Sequence, residues 1–483
     1  MRQINHGRRR RVQALLDRLR EIANEKKNLL ARLEDLQEQE KAVRQEHITL
    51  HNLDAATSDL PDEILASIFE AGMWYDKEEW RDFQIRVSHV SHRWRAIALA
   101  TTQLWSNIQY TETTGRTPSK STGKVLAYLS RSKQSPVDIY IQASESRDLD
   151  PALLKSILDH IGHCSRLRIY GAGRRSQREI IEAAFRQPAP ALVSLRMQHN
   201  QKLLFFGQLL PLGAARLKLV ELDMLRLIPP QISHCLSAFE SITHLRLTSL
   251  LILNEDTCDS LRTLLAALKS LCHLELEPVC RGTVPPPALA LVLPNLRFLH
   301  VGWTRSSSFF NGFVGNLCAV SLNTFSFPGW HSDEDIFKVS GTLGRCHFPS
   351  LRELIVVDEV STALEELEHL AETFPDIDSL TCRVENVDVS EQDDGIDAII
   401  GAILEGPSVR WPKLQSIAVS ALRKPLDAQA LCQAICNLQA HRPLRKLSLP
   451  RSYALGTDTS AMQKLREIIQ VEECGNEWQM FCV

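Results

Sequence analysis

No stretch of this sequence stays apolar for the roughly 18 residues that a membrane crossing needs. The N-terminal MRQINHGRRRRV is basic, but no apolar core follows it, so it does not read as a secretory signal. Neither sign of charge dominates: 55 Lys and Arg stand against 58 Asp and Glu, a net charge of −3. That balance excludes a nucleic-acid polycation and an acidic tail. HExxH, GxSxG and CxxC motifs are all missing, and the sixteen histidines form no cluster. Cys432 and Cys436 lie four apart with no further ligand at zinc spacing. Gly123-Lys124 has its upstream glycine, Gly115, at the wrong distance for a phosphate loop, and Gly171-Ala172-Gly173 lacks the third glycine of a dinucleotide fingerprint. These absences point away from catalysis, metal and cofactor. The twelve scattered cysteines read as free thiols in or near the core of a cytoplasmic or nuclear protein.

What is present falls into parts. Residues 1–54 read as one helix, with no glycine or proline between Gly7 and residue 52. Leu15, Ile22, Leu29, Leu36, Val43 and Leu50 recur every seven residues and fill one core series of a heptad. The other series is mixed: Val12, Leu19 and Leu33 are apolar, whereas Lys26, Glu40 and His47 are not. The pattern suits a weak coiled coil, either between two chains as a homodimer or folded back on the body of the same chain. Arg8 to Arg11 suit a solvated helix start, a nuclear-import signal or a phosphate contact.

Residues 55–110 form a small helical module rich in tryptophan: Trp74, Trp80, Trp94 and Trp105 all lie in it. Ser58 or Asp59 is placed to cap a helix with Pro61 in its first turn, and Gly72 to end it. Ile64, Leu65, Ile68 and Phe69 make its apolar face, and Ile85, Val87, Val90, Trp94 and Ile97 continue the pattern. So small a module buries little of its own surface, which leaves large apolar groups for a partner or for the next domain. Trp94 and Trp105 suit packing within the chain. The series Leu60-Pro61, Ile64-Leu65, Ile68-Phe69, VSHVSHRWRAIA and LWSNI resembles the F-box, in the form common in fungal proteins where a long helix precedes it. Two departures are Ser91, where that form has cysteine, and a longer segment between the first two helices. The resemblance implies docking to a Skp-type adapter, and through it to a cullin–RING ubiquitin ligase. Leu60, Pro61, Ile64, Leu65, Ile68, Phe69, Val87, Val90 and Trp94 would form the contact.

Residues 111–124 are polar and turn-rich, a linker or exposed loop. From 125 to 483 the unit apolar-x-x-apolar-x-apolar recurs eleven times. Its middle anchors are Leu167, Leu195, Leu222, Leu245, Leu274, Leu299, Phe325, Leu354, Leu380, Ile417 and Leu447. Their spacing averages 28 residues, within the leucine-rich-repeat range. VDIYI at 137–141 and the helix at 462–471 are candidate caps. The Asn or Cys that satisfies the bend in such repeats occurs only as Asn200, so irregular turns are expected. The fold expected is α/β: a long N-terminal helix, a small all-α module and an irregular repeat solenoid. Residues just after each anchor would line the concave sheet, and Arg168, Arg196, Asp223, Arg246, Glu275 and His300 make its charged half, a candidate face for a target protein. A non-ligase scaffold built on the same repeats is the alternative.

Overall fold

The computed structural model describes residues 2–53, 57, 59–73, 82–112, 118–144, 148–171, 175–176, 179–180, 189–198, 213–224, 239–280, 290–302, 307–328, 347–357, 370–383, 411–419, 428–441, 444–450 and 460–474. Trp74, Trp80, Ser58 and Asn200 lie outside them. The chain divides into two compact units, Met1–Leu104 and Trp105–Val483.

The first unit opens with α1, Arg2–Leu53, an unbroken helix of 52 residues. Its ion pairs run along the helix surface, Arg18 to Glu21 at 3.0 Å and Arg44 to Glu40 at 2.6 Å. Every side chain described in α1 is exposed. Three short helices follow: α2 (Asp62–Gly72), α3 (Phe83–Ser88) and α4 (His92–Ala100).

The second unit is built on parallel strands. They are β1 (Asn107–Thr111), β2 (Val137–Gln142), β3 (Cys164–Tyr170), β4 (Ser194–Gln198), β5 (Leu219–Asp223), β6 (His244–Ile252), β7 (His273–Cys280), β8 (Leu291–Val292), β9 (Phe298–Val301), β10 (Leu317–Cys318), β11 (Thr324–Pro328), β12 (Glu353–Val357), β13 (Ser379–Arg383), β14 (Ser416–Val419), β15 (Lys446–Leu449) and β16 (Gln470–Glu473). Fourteen make one sheet in chain order, while β8 and β10 pair separately. Parallel neighbours need a crossover, and the described crossovers include α5 (Pro118–Ser132), α6 (Pro151–His160), α7 (Glu255–Ala267), α8 (Ser307–Asn316), α9 (Ala428–His441) and α10 (Ser460–Ile468).

A single apolar ladder runs through the sheet: Ile108, Ile139, Leu167, Leu195, Val220, Leu245, Leu274, Leu299, Phe325, Leu354, Leu380, Ile417, Leu447 and Val471 are successive partners. All but Val471 are buried. One anchor differs from the expectation: in β5 it is Val220, not Leu222. Both point to the same face, because side chains alternate with period two, so the apolar pattern alone does not separate them. A recurrent turn does. Eight times a backbone N–H donates to the carbonyl three residues earlier, at 2.9–3.2 Å: Leu192 to Ala189, Leu217 to Ala214, Ile242 to Phe239, Leu271 to Leu268, Leu296 to Leu293, Leu322 to Ala319, Leu351 to Phe348 and Leu414 to Trp411. Each donor stands three residues before its ladder residue, and Leu217 therefore fixes Val220.

Three expectations at the ends change. The edge strand is β1, one strand before the expected cap VDIYI, which is β2. Beyond α10 the chain adds β16 to the sheet. Helix α5 begins at Pro118, inside the stretch read as a linker, since proline needs no N–H partner in a first turn. Gly123 and Lys124 are helical there.

Aromatic rings thicken the core near β11. Phe325 lies 5.1 Å from Phe327, 6.0 Å from Phe374 and 6.3 Å from Phe348, centroid to centroid. Phe325→Ala should cost about 3–5 kcal/mol, read as a lower denaturation midpoint with an unchanged slope.

Candidate functional site

In the helical module, Pro61 precedes α2 and donates no hydrogen bond. Its carbonyl accepts the N–H of Ile64 and of Leu65, both at 3.1 Å. Neither Asp59 nor Pro61 caps the helix through a side chain. Asp62 and Glu63 complement the helix dipole instead. The Arg93 guanidinium spans from α4 to this start: it donates to the Leu60 carbonyl and, through Nε at 2.9 Å and Nη2 at 2.7 Å, to Asp62 Oδ1. Ser91, the departure from the resemblance, has a job of its own. Its hydroxyl oxygen accepts the Trp94 N–H at 3.1 Å and caps α4, which a cysteine does less well.

The nine residues expected at the adapter face divide by burial. Leu65, Phe69 and Val87 are buried and hold the helices together, with Phe69 4.9 Å from the half-buried Trp94 ring. These side chains are core, not surface. Pro61, Ile64, Ile68 and Val90 are exposed, Ile64 at 48 % and Ile68 at 49 %. Leu60 is half-buried. A helix of 3.6 residues per turn separates the members of each pair: Ile64 and Ile68 share the outer face, Leu65 and Phe69 the inner. Gly72 is the last residue of α2, and a Cβ added there would lie 2.5 Å from the tip of the Phe83 ring, which would have to shift.

On the sheet, the row beside the ladder reads Tyr140, Arg168, Arg196, Glu221, Arg246, Glu275, His300, Ser326. Glu221 takes the place expected of Asp223, as the Val220 anchor requires. Asp223 lies two residues further along the same face and accepts the Thr248 hydroxyl at 2.9 Å. The row is an ionic chain rather than a plain solvated surface. Arg196 Nε lies 3.6 Å from Glu221, and Arg246 lies 3.8 Å from Glu221, 3.2 Å from Glu275 and 3.4 Å from Glu277. Glu275 also meets His273 Nε2 at 2.7 Å, whose ring stacks on Phe298 at 4.1 Å and on His244 at 5.4 Å. His300 Nδ1 reaches the buried Ser326 hydroxyl at 2.9 Å. Tyr170, Arg196, Gln198, Glu221, Asp223, Arg246, Thr248, Ser249 and Glu277 surround an open hollow of about 390 Å³. The register-shifted Glu221 and the second row of Tyr170, Gln198 and Thr248 were not expected; the turn residue Leu217 was the signal that could have found Glu221.

Burial pushes Glu275 toward the neutral acid, but the His273 hydrogen bond and the Arg246 charge outweigh it and hold the carboxyl below its usual range. Burial, then His273, lowers the His244 imidazole. Burial and the neighbouring Arg196 lower the Arg168 guanidinium. Buried thiols are inert by the same logic: Cys164 and Cys382 are pushed up to about 12, and Cys258 to about 11. Cys436 is exposed and its neighbour Cys432 partly so, and no cluster of three metal-ligating side chains occurs among the described residues. Nor does any described helix have the length and apolarity to cross a membrane.

Residues 57–110 match a family model described as F-box-like. That match supports a role in F-box-mediated protein interaction. F-box domains typically bind Skp1-type adapters, and F-box proteins are generally non-catalytic adapter subunits. The match spans α2, α3, α4 and ends within β1. No curated protein matches the chain. A crystal structure of a Bacteroides fragilis protein, 12 % identical over 75 % of this chain and 85 % of that one, superposes with a TM-score of 0.29. At that score the likeness carries no argument.

Two measurements probe this geometry. Glu275→Gln should cost about 3 kcal/mol, the low end for breaking a buried pair because Arg246 keeps Glu221 and Glu277. The sign in pH follows from a lowered carboxyl: its stabilisation is full above the ordinary carboxylate value and is lost as pH falls through the native one. Unfolding followed from pH 7 down to pH 3 should therefore show a flatter acid limb in the variant than in the native chain. Ser91→Ala should cost about 1 kcal/mol through loss of the cap, measurable by denaturant unfolding.

Proposed function

We propose that this chain is the substrate-recognition subunit of a Skp–cullin–F-box type ubiquitin ligase. The observation that carries the reading is the coincidence of the F-box-like match with a helical module whose Ile64 and Ile68 stand outward. A helix pair of aliphatics set on a rigid core, with Pro61 and Val90 also exposed, suits docking onto an apolar adapter surface. Leu65, Phe69, Val87 and Trp94 serve that surface indirectly by holding α2, α3 and α4 together.

We read the fourteen-stranded sheet as a leucine-rich-repeat solenoid. Strict chain order, a parallel ladder of one residue per strand and the turn that recurs before eight of the strands support this. The row from Arg168 to His300, with its hollow, is then the face offered to a target protein. Buried Glu275 sets Arg246 rather than touching the target. Such a subunit needs no catalytic group: it raises the effective concentration of a target next to ubiquitin carried elsewhere in the complex. The reading suits a cytoplasmic or nuclear setting.

Co-precipitation of the full chain with a Skp-type adapter tests it. Ile64→Asp/Ile68→Asp should weaken capture at least about tenfold while the circular dichroism stays native. An adapter that ignores the native chain, or binds the double variant equally well, sinks the reading.

A further inference from the structure

Helix α1 presents a seam six heptads long, from Val12 to Leu50, with no cover: Leu29 is 63 % exposed and Val43 67 %. Most helical stability comes from packing an apolar face, not from propensity. A repeat of strictly seven residues, sustained beyond three or four heptads, is the pattern of a helix that winds around another helix. We propose that the occupant is a second copy of this chain, and that the two α1 helices pair antiparallel. The inference does not depend on adapter docking.

The direction follows from the two core series. In a parallel, in-register pair each core residue faces its own copy, so Lys26 would meet a second Lys26, Glu40 a second Glu40 and His47 a second His47. Two of those pairs set like charges together in the core. In an antiparallel pair each layer takes one residue from each series. One register then matches the whole length: Lys26 layers with Leu36 of the second copy, Glu40 with Ile22, His47 with Leu15, Leu19 with Val43, and Leu33 with Leu29. Every polar core residue thus faces an aliphatic one and can lift its head to the rim. On the flanks the same register sets Arg18 beside Glu46 of the second copy, twice by symmetry, and Leu30 beside Leu30 at the centre. It also sets Arg32 near Arg32, on a rim that water screens. Arg18 already pairs with Glu21 at 3.0 Å in the free helix, so the flanks add little and the core decides. The seam is complementary to itself in one direction, a property that an unrelated partner helix would not impose. In this register the two Leu53 ends lie roughly 65 Å apart at 1.5 Å per residue. If the module docks as proposed above, one dimer would hold two adapters well separated.

Light scattering on the purified full chain, without adapter, should give twice the 54.5 kDa chain mass. Leu29→Glu/Leu33→Glu should shift dimerisation to at least 100-fold higher concentration with its near-ultraviolet spectrum unchanged. Direction is read by oxidation of introduced thiols, against the native chain as background, since no native cysteine precedes Cys164. Lys26→Cys/Leu36→Cys should cross-link between copies. Lys26→Cys alone should not, its two sulfurs lying about 15 Å apart along the axis. A monomeric native chain overturns the proposal, as does a Leu29→Glu/Leu33→Glu variant that dimerises normally. Efficient cross-linking of Lys26→Cys alone overturns the direction.

Discussion

The second unit depends on one constraint, the registration of each strand against its neighbour. Side chains alternate along a strand, so a slip of one residue would turn every leucine of that strand out of the core. A slip of two keeps the faces but shifts every charged partner along the row. At eight of the fourteen ladder positions a turn that ends three residues earlier removes both errors. It sets an apolar side chain and a leucine or isoleucine at fixed distance from the strand, as in Leu293-Pro-Asn-Leu296, Phe348-Pro-Ser-Leu351 and Trp411-Pro-Lys-Leu414. Proline in the second position pre-sets the turn, and the closing N–H is satisfied inside it. The indole of Trp411 adds a further tie, donating to the Phe374 carbonyl at 3.0 Å.

The ionic row is a product of that registration. Glu221 stands between Arg196 and Arg246, and Arg246 between Glu221 and Glu275, because Val220 and not Leu222 pairs with Leu245. Were Asp223 in the row, its shorter side chain would sit where Glu221 now bridges two guanidiniums. Charges so buried are costly unless each finds a partner. Glu275 has two, Arg246 and His273, and the His273 ring is itself held flat between Phe298 and His244. Electrostatics here follows from packing: the stacked rings orient the imidazole, the imidazole and Arg246 keep the carboxylate charged, and the carboxylate fixes the arginine that lines the hollow.

Much of this was legible in the residues. The heptads of α1, the helical character of 62–100 and the eleven strand cores follow from periodicity alone, because apolar spacing reports which face of an element is buried. What periodicity does not carry is the choice between equivalent frames. Leu222 fits the repeat as well as Val220, and only the turn at Leu217, a hydrogen bond rather than a hydrophobic contact, separates them. Likewise Ile64-Leu65 and Ile68-Phe69 read as one apolar face, yet the helix splits each pair between a buried and an exposed side. Polar ties were the least legible. Arg93 reaches back 31 residues to Asp62, and Ser91 caps a helix where the resemblance favours cysteine.

The same distinction separates the two apolar surfaces of the first unit. On α2 the outward aliphatics are few, and the helix is already anchored by Leu65, Phe69 and the Arg93 clamp, so its shape exists before any partner arrives. An adapter docking there, as proposed, would order little and lose little entropy, as suits an exchangeable contact. On α1 the apolar stripe is exposed at every described side chain, and the ion pairs given along the helix are local, three or four residues apart. A helix with one apolar stripe and no core of its own gains its packing only from a partner of comparable length. The docking proposed for α2 would therefore add to a finished module, whereas the pairing proposed for α1 would complete an element whose apolar stripe lacks a partner.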